Sequence, residues 1–387
     1  MTTRPRAPVI AGLGLTELGR VHGRTAAQFA AEAVRLAAAD AGLALTDVDG
    51  LLVGSGSTGG VHLSLQRDLG LAGLRLAAQL QAYGSTAGAM VQFAALAVQA
   101  GMASVVACAW ADDPLRPGRG AAAAYSRARA PAGWAGLHGA AGLTGANQLY
   151  ALAARRHMHA YGTTSEQLGA IAIAQRDWAA RNPLAQQREP ITMTDYLSSR
   201  WIAEPFRKLD CCLVTNGGAA FIVTTADRAA GLAQPPVRVL GWAQCHPGYS
   251  MRRDDNFGLV SGAAQAGPAA LAMAGVGLAD IDVLQLYDCY TYTVLLTLED
   301  YGFCGKGEGG PFAASGALGP GGTLMLNTGG GQLSGYYLWG MTPLSEAIIQ
   351  IRGQGGERQA GRADLVLVSG NGGVLDHHCT LVLGASR

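Results

Sequence analysis

The sequence predicts an α/β fold built from two copies of one unit, with a mostly helical segment inserted between them. Three observations predict it. Residues 40–54, DAGLALTDVDGLLVG, align without a gap to residues 273–287, MAGVGLADIDVLQLY, with Ala41/Ala274, Gly42/Gly275, Leu45/Leu278, Asp47/Asp280, Asp49/Asp282 and Leu51/Leu284 identical. Solenoid repeats recur every 20 to 50 residues or so, so a repeat this distant marks a duplicated domain. Apolar runs such as 104–110, SVVACAW, and 363–370, ADLVLVSG, alternate with Ala-rich helical stretches; that pattern belongs to a sheet covered on both faces. Finally, 387 residues with 49% apolar and 14% charged side chains supply a large core and little charge to coat a lone particle, which points to buried contacts between subunits.

The elements follow in order. Each half opens on a strand-like run, PVIAGLGL at 8–15 and VRVLGWAQ at 237–244. Residues 26–41 put Phe29, Ala33, Leu36 and Ala37 at helical spacing, and LTDVDGLLVG then turns into an apolar strand. Residues 85–100 form a helix that feeds the strand at 104–110. Helices are expected near 146–160 and 164–181. The expected division is 1–113 with 211–232 for the first half, 114–210 for the insertion and 233–387 for the second half. From Pro114 to Ser165 the chain carries Arg116, Arg119, Arg127, Arg129, Arg155 and Arg156 with no Asp or Glu. Such a run calls for either a solvated loop or an anionic ligand such as coenzyme A.

Several functions are disfavoured. A net charge of +1 without a basic-aromatic ladder argues against nucleic acid. Seven cysteines with no CxxC give neither a zinc site nor a disulfide framework, so no metal is expected in this chain. The charge-free run from Thr86 to Ala111 is long enough for a membrane span, but Gln92, Gln99 and Gly101 divide it, and it reads as a buried helix and strand. GSGSTG at 54–59 matches GxGxxG and follows a strand, but no acid stands about 20 residues on to hold a ribose, so NAD binding is disfavoured. No GxSxG, HExxH or P-loop occurs.

The last hundred residues carry the most information. LYDCYTYTVLLTLEDYGFCGKGEGGPF, NTGGGQLSGYYLWGMTPLSEAIIQIRGQGGERQ and SGNGGVLDHH together resemble the C-terminal half of the thiolase superfamily, in its sterol-carrier-protein-X branch. The resemblance implies a thiolase fold: two duplicated α/β halves in αβαβα layers with an inserted loop domain. Thiolases of this kind use a nucleophilic Cys at a helix start, a His in a GHP loop and a second Cys near the end. Here the nucleophile's position falls on Gly84 in AYGSTAG, Tyr337 stands at the GHP histidine, SGNGG replaces CxGGG, and the HDCF-type motif reads Tyr287-Asp288-Cys289-Tyr290.

Without a thiolate to carry an acyl group, Claisen cleavage by the usual route is excluded. A retro-aldol needs none. The altered set resembles the lipid-transfer-protein-like aldolases of steroid side-chain degradation, which implies Tyr287 and Tyr337 as the catalytic pair. It also implies a pocket of Gly84, Ser85, Asp288, Asn327, Gly372, Gly373 and His378, with backbone N–H groups near Gly84 and Gly372/Gly373 stabilising an enolate. Tyr336 is the neighbour that a one-residue slip would exchange for Tyr337. A phenolate base at neutral pH needs roughly 3–4 kcal/mol of help from its surroundings, because a tyrosine hydroxyl ordinarily ionises near 10; His246, His377 and His378 are the expected helpers, unless the proton moves in concert through the Tyr–Tyr pair. Arg116, Arg119, Arg127 and Arg129 are the candidates for the CoA phosphates. The resemblance further implies a CoA thioester of a 17-hydroxysteroid side chain as substrate, released as a 17-ketosteroid and propionyl-CoA. It implies no cofactor in this chain, and a small partner with an OB-fold and a zinc ribbon, so that any zinc sits in the partner. A homodimer core within an α2β2 hetero-oligomer in a bacterial cytoplasm completes the expectation. Two rivals are a thiolase-like acetyltransferase with a displaced cysteine and a non-catalytic acyl-CoA-binding scaffold.

Overall fold

The computed structural model describes residues 6–121, 124, 133–248 and 256–386. Strand β1 (Pro8–Leu15) leads to helix α1 (Ala26–Ala41), which is capped by the Thr25/Gln28 capping box and stopped by Gly42 at φ 74°. The helix lies so close to β1 that a Cβ on Gly12 would meet the Ala37 carbonyl oxygen at 2.1 Å. Strands β2 (Gly50–Ser55) and β3 (Leu76–Gln79) follow, then helix α2 (Thr86–Gln99) and strand β4 (Val105–Asp112). Next come helices α3 (Ala146–Tyr161) and α4 (Ser165–Ala180), and the short hairpin of β5 (Trp201–Ala203) and β6 (Phe206–Arg207). The hairpin is an element that the expectation of a mostly helical insertion did not contain. Strand β7 (Gly217–Thr225) closes the first half.

The second half repeats the scheme with β8 (Val237–Cys245), α5 (Ala263–Ala274), β9 (Val283–Gln285), α6 (Thr291–Tyr301), β10 (Met325–Leu326), α7 (Met341–Ile351), β11 (Leu365–Gly372) and β12 (His377–Gly384). Among the described residues ten strands form one hydrogen-bonded sheet in the order β10-β9-β11-β12-β8-β1-β7-β4-β2-β3. Read outward from the centre, each half has the same order. Within the described part of the sheet the two halves are joined by two residue pairs, Val9 with Arg238 and Ile10 with Val237. In both, the strand next to the innermost one is antiparallel to its neighbours, and the strands further out are parallel.

Helix α1 covers the outer face of the first half, and α5 with α6 the outer face of the second. Helices α2 and α7 touch strands of both halves and form the central layer, giving five layers, αβαβα. This position explains the missing charges between Thr86 and Ala111: α2 is buried on nearly every side and every residue of β4 is buried. No helix among the described residues is long and apolar enough to cross a membrane.

Candidate active site

Tyr287 stands two residues beyond β9, and its backbone is held on both sides. The Leu286 N–H donates to Asn327 Oδ1 at 2.7 Å and the Asn327 amide donates back to the Leu286 carbonyl at 3.0 Å, while the Tyr287 N–H donates to Ser369 Oγ at 2.9 Å. The neighbouring Asp288 carboxyl, fully buried, accepts the Gln332 N–H at 2.8 Å and the Leu333 N–H at 3.2 Å. Those amides belong to a π-helical turn, Gly331–Gly335, of the kind that often marks functional sites. Gly331, at φ 57°, has to be glycine, because its Cβ would fall 2.1 Å from Asp288 Oδ2. The turn delivers Tyr337, whose N–H is fixed on Thr215 Oγ1 at 2.9 Å. The two phenol hydroxyls meet at 3.2 Å. Tyr287 is 3% exposed and Tyr337 half-buried.

Gly84 lies against this pair. A Cβ there would come within 2.3 Å of Tyr287 Cε2 and Cζ and 2.0 Å of the Asn371 carbonyl oxygen. The Tyr287 ring therefore fills the space that a nucleophilic side chain at position 84 would need, and the two are mutually exclusive. Nor is a displaced thiolate available: burial raises all seven cysteine thiols above their ordinary value, with Cys289 pushed up to about 12. A thiolate nucleophile needs the opposite shift.

Comparison with known proteins gives the family. Residues 243–385 match the family model described as Thiolase C-terminal domain-like. A steroid side-chain-cleaving aldolase from Thermomonospora curvata is 38% identical over the whole of both chains. The chain belongs to the thiolase superfamily, in its aldolase branch. The 17-hydroxy-3-oxo-4-pregnene-20-carboxyl-CoA lyase of Mycobacterium tuberculosis is 39% identical over 94% of this chain and 96% of its own. A solved Ltp2-ChsH2(DUF35) aldolase superposes with a TM-score of 0.88 at 36% identity, covering 99% of each chain.

Within this aldolase fold the other expected site residues divide. Gly372 packs on the 82–84 turn, its Cβ position lying 2.7 Å from the Gly84 nitrogen, and Gly373, at φ 63°, sits beside His377. Ser85 is fully buried beside Gly84 and its hydroxyl has no hydrogen-bond partner. The Asn327 amide is engaged on Leu286 and the Asp288 carboxyl on the Gln332–Leu333 amides, so both hold the tyrosines in place, and both also border a small cavity shared with Tyr336 and Glu346. Burial pushes Asp288 up to about 7 against those bonds. His378 points the other way. Strand alternation turns it to the outer face, where Nε2 meets the Tyr301 hydroxyl at 3.1 Å and burial pushes it down to about 3. His246 and His377 pair with each other at 3.0 Å, and His377 stacks on Tyr83. Tyr336 is buried beside Glu346 with its hydroxyl pushed up, apart from the Tyr287–Tyr337 contact.

The arginines divide likewise. Arg116 pairs with Asp113 at 3.3 Å, Arg155 with Glu204 at 2.6 Å, and Arg156 donates to the Phe257 carbonyl at 3.0 Å. The acids come from outside the acid-free window. Arg127 and Arg129 lie outside the described residues. GSGSTG is also accounted for. The Asp112 carboxylate accepts the Ser57 and Thr58 N–H groups and both hydroxyls. The loop thus binds an internal carboxylate where a dinucleotide site would hold phosphate.

Sequence reasoning missed two contributors. Tyr150, buried on α3, packs its ring 4.8 Å from that of Tyr290 in the Tyr287–Tyr290 motif. Thr215 anchors the Tyr337 backbone. They come from the insertion and from the segment after it, and no spacing links them to either tyrosine.

Proposed function

We propose that this chain is a carbon–carbon lyase that cleaves a β-hydroxyacyl-CoA by retro-aldol reaction, using Tyr287 and Tyr337 as one proton-transfer unit. The observation that carries the reading is the 3.2 Å contact between the two hydroxyls beside Gly84. One tyrosine oxygen takes the proton of the substrate's β-hydroxyl. The Cα–Cβ bond then breaks: its electron pair passes to the thioester as an enolate, and the β-carbon leaves as a ketone. Return of the proton to Cα gives the shorter acyl-CoA. Proton and electron pair balance without an outside oxidant or reductant. Sharing one proton between two phenols 3.2 Å apart relaxes the demand for a free phenolate. Buried N–H groups of the Gly-rich segments at Gly84 and Gly372/Gly373 suit the enolate oxygen.

The names of the relatives support the substrate class, a 17-hydroxysteroid side-chain CoA thioester; the products we assign to its cleavage are a 17-ketosteroid and propionyl-CoA. CoA enters as part of the substrate, with Arg116 and Arg119 as phosphate contacts. The solved relative's name joins two components, which supports a small partner subunit. We assign the OB-fold, the zinc ribbon and any zinc to that partner, place a homodimer at the core of the assembly, and place the enzyme in the bacterial cytoplasm. The displaced-cysteine rival is disfavoured by seven raised thiols, and the scaffold rival by the directly paired hydroxyls.

The test is phenylalanine substitution. Tyr287→Phe and Tyr337→Phe keep ring volume and remove the proton-bearing oxygen, so each is expected to lower turnover of a 17-hydroxysteroid CoA thioester by about 10²–10⁴-fold. The double variant is expected to be scarcely worse than either single one, because the two act as a unit. Full ketone release by both single variants would overturn the tyrosine mechanism.

A further inference from the structure

Segment 210–215 runs like a strap from the stretch that carries Tyr287 to the stretch that carries Tyr337. At its start the fully buried Asp210 carboxylate accepts three donors from three parts of the chain: the Tyr196 hydroxyl of the insertion at 2.8 Å, the Arg207 N–H at 2.7 Å and the Thr291 hydroxyl at 2.6 Å. Thr291 is the first residue of α6, four beyond Tyr287, and Thr293 Oγ1 in the same turn reaches the Tyr287 carbonyl at 3.2 Å. Midway, the Cys212 N–H donates to the Cys289 carbonyl at 3.0 Å and the Leu213 N–H to the Gln332 carbonyl at 2.9 Å. At the far end Thr215 Oγ1 accepts the Tyr337 N–H at 2.9 Å. One short strap thus grips both catalytic stretches, and Asp210 and Thr215 are its side-chain anchors.

We infer that Asp210 is a positioning residue for the retro-aldol reaction: its carboxylate ties the start of α6 to the strap that holds Tyr337, and so sets the separation of the two phenol hydroxyls. The inference rests on the reading of Tyr287 and Tyr337 as one proton-transfer unit. A carboxylate suits this task because it offers acceptors on both oxygens and no donor, whereas an amide would turn its NH2 group towards one of the three donors. Its charge also sits at the N-terminal end of α6, where the helix dipole favours an anion. When the Thr291 contact is lost, the backbone bonds from Cys212 and Leu213 still hold the strap in place. The fold then survives, and what relaxes is the placement of Tyr287 against Tyr337. Reacting groups displaced by about 1 Å can lose as much as 10²-fold in rate, so a small relaxation at this distance from the hydroxyls is enough to be seen.

The full-length enzyme is assayed with 17-hydroxy-3-oxo-4-pregnene-20-carboxyl-CoA. Asp210→Asn and Thr291→Val weaken the contact from its two sides, and each is expected to lower kcat about tenfold with KM unchanged, the pattern of an interaction that counts only in the transition state. Thr291→Ser keeps the hydroxyl and is expected to restore most of the rate. The double variant Asp210→Asn/Thr291→Val is expected to be scarcely worse than the worse single one, because both changes remove the same contact. Tyr196→Phe takes a different donor from the same carboxylate, one that ties it to the insertion; it is expected to lower the unfolding temperature while kcat stays within about twofold. Thr291→Val leaves the carboxylate in place and keeps the test valid if Asp210→Asn folds poorly. Wild-type kcat in Thr291→Val overturns the inference, as does equal impairment in Thr291→Ser and Thr291→Val. An equal loss of kcat in Tyr196→Phe would make Asp210 a general support of the fold and also overturns it. Tyr287→Phe separates this from the underlying reading: an inactive Tyr287→Phe beside an unaffected Thr291→Val removes only the role of Asp210, whereas an active Tyr287→Phe removes the reading itself.

Discussion

The two halves carry the same unit with different endings. Gly54, the penultimate residue of β2, and Tyr287, two beyond β9, occupy one position of the repeat, yet only the second is chemical. In the first half a Cβ at Gly54 would meet Met90 at 2.8 Å, Thr86 at 2.9 Å and Trp110 at 3.2 Å, so neighbouring side chains already fill the place. In the second half the side chain itself fills it. Room for Tyr287 comes from glycines on the facing segments: Gly84 beside the ring, with Gly340 and Gly370 letting the Gly84 carbonyl approach to 2.3 Å and 2.7 Å of their Cβ positions. One carboxylate buttresses each ending, Asp112 on the Ser57–Thr58 amides and Asp288 on the Gln332–Leu333 amides. A duplicated scaffold thus gains a reaction centre in one copy by choosing where side chains are left out.

The strongest way to break this contrast is to restore a side chain where one is missing. Gly84→Ala and Gly84→Cys put an atom within 2.3 Å of the Tyr287 ring and 2.0 Å of the Asn371 carbonyl oxygen. The backbone oxygen cannot yield cheaply, so Tyr287 has to leave its hydroxyl contact. Turnover is expected to fall at least 10²-fold, and overpacking to cost about 1–3 kcal/mol of stability. Steady-state kinetics and thermal unfolding check both numbers. Gly84→Cys is expected to gain no thiolysis of a β-ketoacyl-CoA, because the ring still occupies the nucleophile's space.

How far the sequence disclosed this follows from the range of each interaction. The repeat was legible because its signals are local: Gly42 and Gly275 both end their helices in the left-handed conformation, at φ 74° and 70°, and Asp47 and Asp280 both cap a following 3-10 turn. Tyr287 and Tyr337 were legible only through the family motifs around them. Thr215 and Tyr150 were not, since their relevance arises from distant segments converging. His378 was misplaced although the signal was present: in a strand of period two, His377 and His378 face opposite ways. The acid partners of the arginine window were likewise not legible inside it, since Asp113 lies just before it and Glu204 well beyond it.

The two carboxylates sharpen the contrast at intermediate size. Asp288→Asn disturbs the turn that carries Tyr337 and is expected to lower turnover about tenfold, whereas Asp112→Asn leaves turnover unchanged and costs about 1–3 kcal/mol of stability through lost buried hydrogen bonds. The pH dependence has a definite sign. Burial keeps Asp288 protonated up to about 7 in the fold, while an unfolded aspartate ionises near 3.9. Between those values the folded state binds the extra proton, so this group's stabilisation is complete below about 4 and is lost as pH climbs towards about 7. Asp210, pushed up to about 6 by burial, acts in the same direction. Thermal unfolding between pH 5 and 7.5 is expected to show a shallower fall in Asp288→Asn than in the wild type. An unchanged slope would remove the assignment.

The smallest effect tests whether the repeat is a repeat in energy as well as in shape. Asp47 Oδ2 accepts the Ala44 N–H at 2.9 Å and Asp280 Oδ2 accepts the Gly277 N–H at 2.8 Å, closing the same turn at the same point of each half. Removing a cap of this kind costs about 0.5–2 kcal/mol, and exposed turns belong at the lower end. Asp47→Ala and Asp280→Ala are therefore each expected to lower stability by about 0.5–1 kcal/mol without touching turnover. Asp47 is expected to be the slightly costlier of the two, because it also meets Arg228 at 3.3 Å. The capped amides belong to different turns, so the double variant is expected to lose the sum within about 0.5 kcal/mol. Chemical denaturation of the four proteins reads this directly. Additivity would mean that each half keeps its own local account of an inherited turn. A double loss well beyond the sum would instead mean that the halves are coupled through the short β1–β8 junction, and that the chemical difference between Gly54 and Tyr287 is imposed on a scaffold energetically less divided than its sequence repeat implies.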